Sequence, residues 1–334
     1  MPPISSHAPI NQPDVDSCVF DGNGGAQRLG PNDLERLLRV GGEPGFGWIH
    51  LRLDGPNTAS WLEQSDLDRF VIDALTAADT RPRCTVHGEG IVLILRGVNL
   101  NPGAEPEDMV SIRLWIEKSR VVSVWLRSLL AVRDLFEAIE RGHAPATPGE
   151  LVARLALRLA DRAEPTIATF NERIDTLEEA IVDEAVEIPR RHLADVRRVA
   201  IVLRRYMFPQ RDALTTLEVE DLSWLTDRDR SRLREAAERV TRLAEDLDSI
   251  RDRAQVIHDQ VMERRAEVMN RQMLVLSIAA AMFLPLGLLT GLLGINVGGM
   301  PGVDSSWAFW IVCALLLAMA GVLVWLFKHL GLLR

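Results

Sequence analysis

The chain has one tyrosine and three cysteines among its 334 residues. Cys18, Cys84 and Cys313 lie far apart and form no CxxC pair, which excludes a disulfide framework and a zinc-ribbon arrangement. Basic residues are in the minority. With 38 Lys and Arg against 47 Asp and Glu the net charge is −9, the opposite of a nucleic-acid-binding footprint. There is no GxxxxGK[ST] phosphate loop, no GxSxG elbow and no HExxH, and no two histidines fall four apart. These absences predict a protein that is not an enzyme and holds no permanent cofactor. Cys84 and His87, three apart on an expected strand, face opposite sides and make a poor metal pair. Residues 1–20 lack the apolar core of a secretion signal.

Charge is also missing from two long stretches. Met273–Leu293 and Trp307–Phe327 contain no charged side chain. A bilayer core of roughly 30 Å needs about 20 helical residues, so each stretch is long enough to cross a membrane. Proline and glycine are absent from Asp227 to Leu284, so one helix can run unbroken into the first crossing.

The rest of the chain reads as soluble. Residues 1–21 have the prolines and polar residues of a flexible tail, and residues 22–145 predict an α/β domain. Pro31–Val40 has a helix start at Asn32 or Asp33. Strands are expected at Gly45–Leu53, Arg83–Val86, Gly90–Val98, Val110–Glu117 and Val121–Leu126, mostly antiparallel, with one or two helices over Asn57–Ala77. In the third of the later strands Ile112, Leu114 and Ile116 alternate with Ser111, Arg113 and Trp115, the pattern of a sheet with one apolar face.

Residues 146–272 predict helices. Glu150–Glu184 should kink or break at Pro165, and Pro189–Phe208 should end at Pro209. The first is acidic towards its end and the second is basic, so a hairpin would set the two faces together. Further on, Leu233, Val240, Leu247, Ala254, Val261 and Val268 recur every seven residues. Ala236, Leu243, Ile250 and Ile257 follow three residues behind their partners. This is the stripe of a coiled coil, and it predicts association between copies.

In the membrane region, residues 273–293 and 307–327 form two spans, 294–306 the loop between them and 328–334 a short tail. Arg264, Arg265 and Arg271 precede the first span, and Lys328, His329 and Arg334 follow the second. The loop has no Lys or Arg. The positive-inside rule therefore puts both termini in the cytoplasm, with Trp307 and Trp310 at the outer interface and Trp325 at the inner one. Along the first span Ser277, Ala280, Ala281, Leu284, Gly287, Gly291 and Gly294 recur at helical spacing, making a narrow face with one leucine. Close helix packing and a pore lining both explain such a face. Two spans cannot enclose a pore, so a pore requires a closed oligomer.

The loop begins Gly294-Ile295-Asn296. Two C-terminal spans joined by Gly-X-Asn, behind a long soluble region, resemble the CorA superfamily of divalent-cation channels and transporters. Members commonly carry Gly-Met-Asn, and Ile295 departs from this as in the zinc-transporting ZntB branch. Thr80-Arg81-Pro82-Arg83, Gly88-Glu89-Gly90 and Arg205-Tyr206-Met207-x-Pro209-Gln210-Arg211-Asp212 also resemble that branch. The resemblance implies an α+β cytoplasmic domain, a long-helix stalk and two transmembrane helices in a funnel-shaped homopentamer of the bacterial inner membrane. Zinc would be the cargo, with uptake assisted by a proton gradient, although export has also been attributed to the branch. A CorA-like magnesium or cobalt channel is the alternative, and a membrane-anchored coiled-coil scaffold the reading from another class.

On the transporter reading the pathway residues are Ser277, Ala280, Leu284, Gly287, Gly291, Gly294, Ile295 and Asn296. Asn296 would form a ring of neutral acceptors at the outer mouth. Asp304 would draw cations towards it, or serve only as a turn residue. Gly294 is expected to adopt a backbone conformation that a β-carbon would penalise. The stalk acids Glu245, Asp246, Asp252, Asp259, Glu263 and Glu267 would draw cations inward from the other end, or simply face solvent.

Overall fold

The computed structural model describes residues 15–30, 45–78, 80–182, 190–295, 302 and 305–331. The helix expected over Pro31–Val40 and the first part of the expected tail lie outside them. The chain divides into two units, Met1–Ile257 and His258–Arg334.

The first unit is built on a seven-stranded sheet: β1 (Val15–Phe20), β2 (Ala26–Leu29), β3 (Phe46–Arg52), β4 (Arg83–His87), β5 (Gly90–Gly97), β6 (Val110–Ile116) and β7 (Arg120–Trp125). The order is β2-β1-β3-β7-β6-β5-β4. β3 runs parallel to β7, with Gly47 opposite Arg120, and the other neighbours are antiparallel. Strand β1 falls in the stretch expected to be tail. Its signal is masked by Asp16 and Ser17, which are buried but satisfied: Ser17 Oγ donates to the Leu29 carbonyl at 3.2 Å, and Asp16 pairs with Arg28.

Helices α1 (Thr58–Gln64) and α2 (Arg69–Thr76) supply Leu62, Val71 and Leu75 to a core with Ile49, Leu51, Val92, Ile94, Val122 and Val124. The opposite face carries α3 (Leu130–Glu140), not anticipated from the sequence, and α4 (Pro148–Val182). Phe136 of α3 stacks on Trp48 at 4.4 Å. His50 lies in this layer, its Nδ1 2.7 Å from Ser123 Oγ. Burial pushes its pKa down to about 3, so the ring stays neutral. With both faces covered, β6 does not alternate between core and solvent. Arg113 and Trp115, which alternate with the apolar residues of this strand, are 3% and 6% exposed.

Helices α5 (Arg190–Val219) and α6 (Asp227–Leu293) complete the fold of this unit. Pro165 lies inside α4 and Pro209 inside α5, and neither ends its helix. A helical proline costs about 3 kcal/mol. Buried apolar residues continue beyond each proline, Ile167, Phe170 and Ile174 in one helix and Ala213, Leu214 and Leu217 in the other. At about 1.5–3 kcal/mol for each large buried side chain, their burial offsets that cost.

The heptad stripe of α6 is used within the chain. Leu233, Ala236, Val240, Leu243, Leu247, Ile250, Ala254 and Ile257 are all buried in the single copy. Ion pairs locate the seam. Arg239 pairs with Asp161, and Arg253 Nε donates to Glu178 Oε1 at 2.8 Å, both on α4. Arg234 Nη2 meets Glu218 Oε1 on α5 at 2.6 Å. The expected match between the acidic end of α4 and basic α5 gives way to this arrangement. Asp175 and Glu178 pair with Arg253 of α6, while Arg198 of α5 meets Glu107 at 2.7 Å and Arg204 meets Asp248 of α6; Asp183 and Glu184 lie outside the described residues. The long apolar stripe of α6 is buried here, and its ion pairs reach both α4 and α5.

The first turns of α4 and α6 lock each other. Thr226 and Asp229 form a capping box at α6, while at α4 Thr147 caps the helix and Glu150 Oε2 accepts from Ala146 N at 2.9 Å. Glu150 N donates to Thr147 Oγ1 at 3.0 Å, and Asp229 N to Thr226 Oγ1 at 3.2 Å. The Thr147 hydroxyl donates across to Asp229 Oδ1 at 2.8 Å. A β-carbon on Gly149 would lie 2.8 Å from Asp229 Cβ, so glycine allows this approach. Asp229 is 2% exposed. Asp229→Ala removes a cap and strands the Thr147 hydroxyl, together about 2 kcal/mol. Thermal unfolding of the first unit should drop by roughly 4–8 °C, and an unchanged midpoint would show that the lock contributes nothing.

Candidate ion pathway

The second unit contains the C-terminal part of α6 and helix α7 (Ala308–His329). Both helices are long and apolar enough to cross a membrane. They form here because leucine, alanine and methionine favour helix, and in lipid every backbone group must be satisfied within its own segment. Trp307, Trp310 and Trp325 are exposed at the ends of α7, and Lys328 and His329 occupy its last turn. The Trp325 and His329 rings stack at 5.5 Å.

One face of α6 is half-buried in this unit, at Ile278, Met282, Pro285 and Leu289. On α7 the corresponding positions are Ala308, Val312, Leu316, Met319, Leu323 and, most buried, Phe327. At about 100° per residue, Ser277, Ala280, Leu284, Gly287 and Gly291 fall on the opposite side of α6. All five are exposed, Leu284 at 71%. Added β-carbons on Gly287 and Gly291 would meet nothing within 4 Å. No packing within the described chain therefore requires glycine there.

Proline and threonine modify the backbone on this stretch. Pro285 brings no N–H to the ladder, so the carbonyl four residues earlier, that of Ala281, loses its helical donor. Thr290 Oγ1 donates back to the Leu286 carbonyl at 3.0 Å. The helix ends at Leu293, and Gly294 N donates to the Gly291 carbonyl at 3.2 Å in a closing turn. Gly294 is not among the glycines of positive φ. Its constraint is contact: a β-carbon would stand 3.0 Å from the Thr290 carbonyl oxygen. Ile295 follows, 49% exposed. Asn296 and Asp304 lie outside the described residues. Of the stalk acids, Glu245, Asp246 and Asp252 are exposed in the first unit and Asp259, Glu263 and Glu267 in the second. Asp252 is bound to Arg251 at 2.6 Å. Among the described residues, no three His, Cys, Asp or Glu side chains gather to hold a metal ion.

The three stretches that suggested a zinc branch belong to the first unit and lie at the β4–β5 edge of the sheet. Arg96, which no sequence pattern marked, connects two of them. Its Nε donates to the Thr80 carbonyl at 2.9 Å, its backbone N donates to Gln210 Oε1 at 2.7 Å, and its guanidinium lies 4.2 Å from the centre of the Tyr206 ring. The Glu89 carbonyl accepts from Trp224 Nε1 at 3.1 Å. Gly90 leaves space for the Trp115 ring, 2.4 Å from where a β-carbon would sit. These residues fasten the sheet to α5.

Comparison with known proteins places the whole arrangement. Residues 43–329 match the family described as CorA-like Mg2+ transporter protein. The divalent cation transporter CmaX of Pseudomonas aeruginosa is 41% identical over 315 residues, covering 93% of this chain and 94% of its own length. The zinc transport protein ZntB of Pectobacterium carotovorum is 36% identical over 316 residues, covering 94% of both chains. The solved structure of full-length CmaX superposes with a TM-score of 0.82 at 38% identity, over 98% of this chain and 100% of that one. The CorA magnesium transporter of Methanocaldococcus jannaschii shares the fold, with a TM-score of 0.76 at 14% identity over 95% of this chain and 98% of that one. With a family match that takes in both the sheet unit and the two apolar helices, this chain belongs to the CorA-like Mg2+ transporter family.

Proposed function

We propose that this protein carries divalent cations, zinc foremost, across the bacterial inner membrane through a homopentameric pore. The first membrane span lines the pore, with Ser277, Ala280, Leu284, Gly287 and Gly291 facing the ion. Gly294, Ile295 and Asn296 form the outer mouth, and Asp304 raises the local cation concentration beside it. The observation that carries this reading is the bare face of α6. Its glycines are open to 4 Å within the chain, on the side turned away from the half-buried face. Membership of a cation-transporter family gives that face a use. Copies around a symmetry axis would turn it inward, and small side chains leave room for an ion that keeps part of its water shell. Relatives named as zinc transport proteins support zinc. A pore has no need of a tight ligand set, because conduction requires binding weak enough to release.

The second reading is a channel for magnesium or cobalt. The family description names magnesium, and the relative at 41% identity is named only for divalent cations. Zinc, magnesium and cobalt entry into liposomes, under imposed pH and voltage gradients, separates the two. Zinc entry that accelerates with an inward proton gradient supports the first reading. Magnesium or cobalt entry without zinc entry supports the second, and no flux of any of them sinks both.

Both termini are proposed to face the cytoplasm, with the loop outside. The charge asymmetry across the spans supports this orientation. In a chain whose native cysteines are replaced by serine, Ser305→Cys should react with an impermeant thiol reagent added to intact cells, and Ser6→Cys should not. Ser305 is exposed in the single chain. Labelling at Ser6→Cys with Ser305→Cys silent would reverse the orientation.

A further inference from the structure

Three guanidinium groups meet at one corner of the sheet with no carboxylate among the described residues to balance them. Arg83 on β4 and Arg113 on β6 are both register partners of Ile94 on β5, so they project on the face that carries α2. Arg96, two residues further along β5, projects on the same face. Arg113 is 3% exposed. Its Nη2 donates to the Ala77 carbonyl, just beyond α2, at 3.0 Å. Its Nε and Nη1 are buried without a partner. Arg96 directs its own donors to neutral oxygens, the Thr80 carbonyl and hydroxyl and, at 3.4 Å, the Met109 carbonyl. Burial, and next the charges of Arg96 and Arg83, hold Arg113 below the ordinary arginine range.

A guanidinium removed from water and set beside two like charges is unfavourable unless an anion compensates it. Elsewhere in this unit buried arginine is paired. Arg120, 8% exposed, is matched by Asp66 and Glu117. We propose that the corner lined by Arg83, Arg96 and Arg113 binds a small inorganic anion, with the unsatisfied donors of Arg113 innermost. The ligand is small because the free Arg113 atoms are enclosed, and anionic because all three groups offer only donors. Arg83 and Arg96 are half-buried, which opens the corner to solvent. An anion there would also brace α5, through the bond between the Arg96 backbone and Gln210. The site is separate from the ion pathway and does not depend on the proposed transport activity.

The test uses the full-length protein in detergent. Sodium phosphate, sodium sulfate and sodium chloride are titrated calorimetrically against sodium gluconate at constant ionic strength, which holds general screening fixed. Thermal unfolding is followed in parallel. At least one of the three anions should bind saturably and raise the unfolding midpoint. Arg113→Met and Arg83→Gln should each weaken that binding roughly tenfold or more, the loss expected for a charge-assisted hydrogen bond. The exposed Arg127→Gln should leave it unchanged. If Arg113→Met fails to fold, Arg83→Gln, at a half-buried position, carries the comparison. A response to phosphate or sulfate alone identifies an oxyanion, and a response to chloride alone a halide. Absence of saturable binding by all three, or binding that Arg83→Gln leaves intact, overturns the proposal.

Discussion

On the proposed pore reading, Asn296→Ala should reduce zinc entry into liposomes by roughly tenfold or more while the oligomer stays assembled. In sequence, Asn296 follows α6, which ends at Leu293, and precedes α7, which begins at Ala308. An ion arriving at the mouth still holds its waters. A ring of amide oxygens can accept hydrogen bonds from those waters, and alanine cannot. Losing one such bond costs about 1–3 kcal/mol where it cannot be replaced, and tenfold corresponds to about 1.4 kcal/mol. In the proposed oligomer every copy would change at once, so the loss should fall at the upper end or beyond. Asn296→Asp should raise occupancy and also slow flux, because a carboxylate ring holds a divalent cation too tightly to release it. Gly294→Val should damage assembly as well as flux, since its side chain would press on the Thr290 carbonyl. Each variant is sized by mass in detergent, where one species of five chains is expected, before zinc entry is measured. Near-normal flux through a well-assembled Asn296→Ala protein would reduce this asparagine to a turn residue.

Leu247→Asp unfolds the first unit and does not merely separate copies. Leu247 is fully buried in the seam between α6 and its neighbours α4 and α5. A carboxylate there would face Leu243, Ile250 and Ala254, the adjoining positions of the same buried stripe. An uncompensated buried charge costs about 3–5 kcal/mol, added to the lost apolar burial. The unfolding midpoint should fall by roughly 10 °C or more. Leu247→Ala, which leaves a cavity, should cost about 2–5 kcal/mol. Thermal unfolding followed by circular dichroism, with mass measured in the same sample, distinguishes the alternatives. A monomer of unchanged stability would return the stripe to a subunit interface. Loss of stability with unchanged mass below the midpoint supports the intramolecular seam.

The stripe illustrates how far the sequence could be read. Seven-residue periodicity fixes which side of α6 is apolar, but it does not say what covers that side. The same pattern serves a partner subunit or a neighbouring helix, because the hydrophobic effect has no direction. The choice lay with α4 and α5, whose own apolar faces are close enough in the chain to fill the seam first.

Sequence alone determined the features that follow from local rules. Two uncharged runs of span length made the membrane helices, since lipid admits few other solutions. Short apolar runs bounded by turn residues made β3 to β7, and the absence of proline and glycine from Asp227 to Leu284 made one long helix. The face proposed to line the pathway shows in the sequence as small residues at helical spacing. What needed the tertiary structure were features that rest on distant partners. Strand β1 exists because Asp16 finds Arg28 and Ser17 finds the Leu29 carbonyl. Helix α5 crosses Pro209 because burial beyond the proline outweighs the missing bond. Arg113 alternates with apolar residues in the sequence, and its burial beside the end of α2 depends on the tertiary structure. Long-range packing decided all three, since the free energy of burial depends on what lies opposite in space, which neighbours in sequence do not specify.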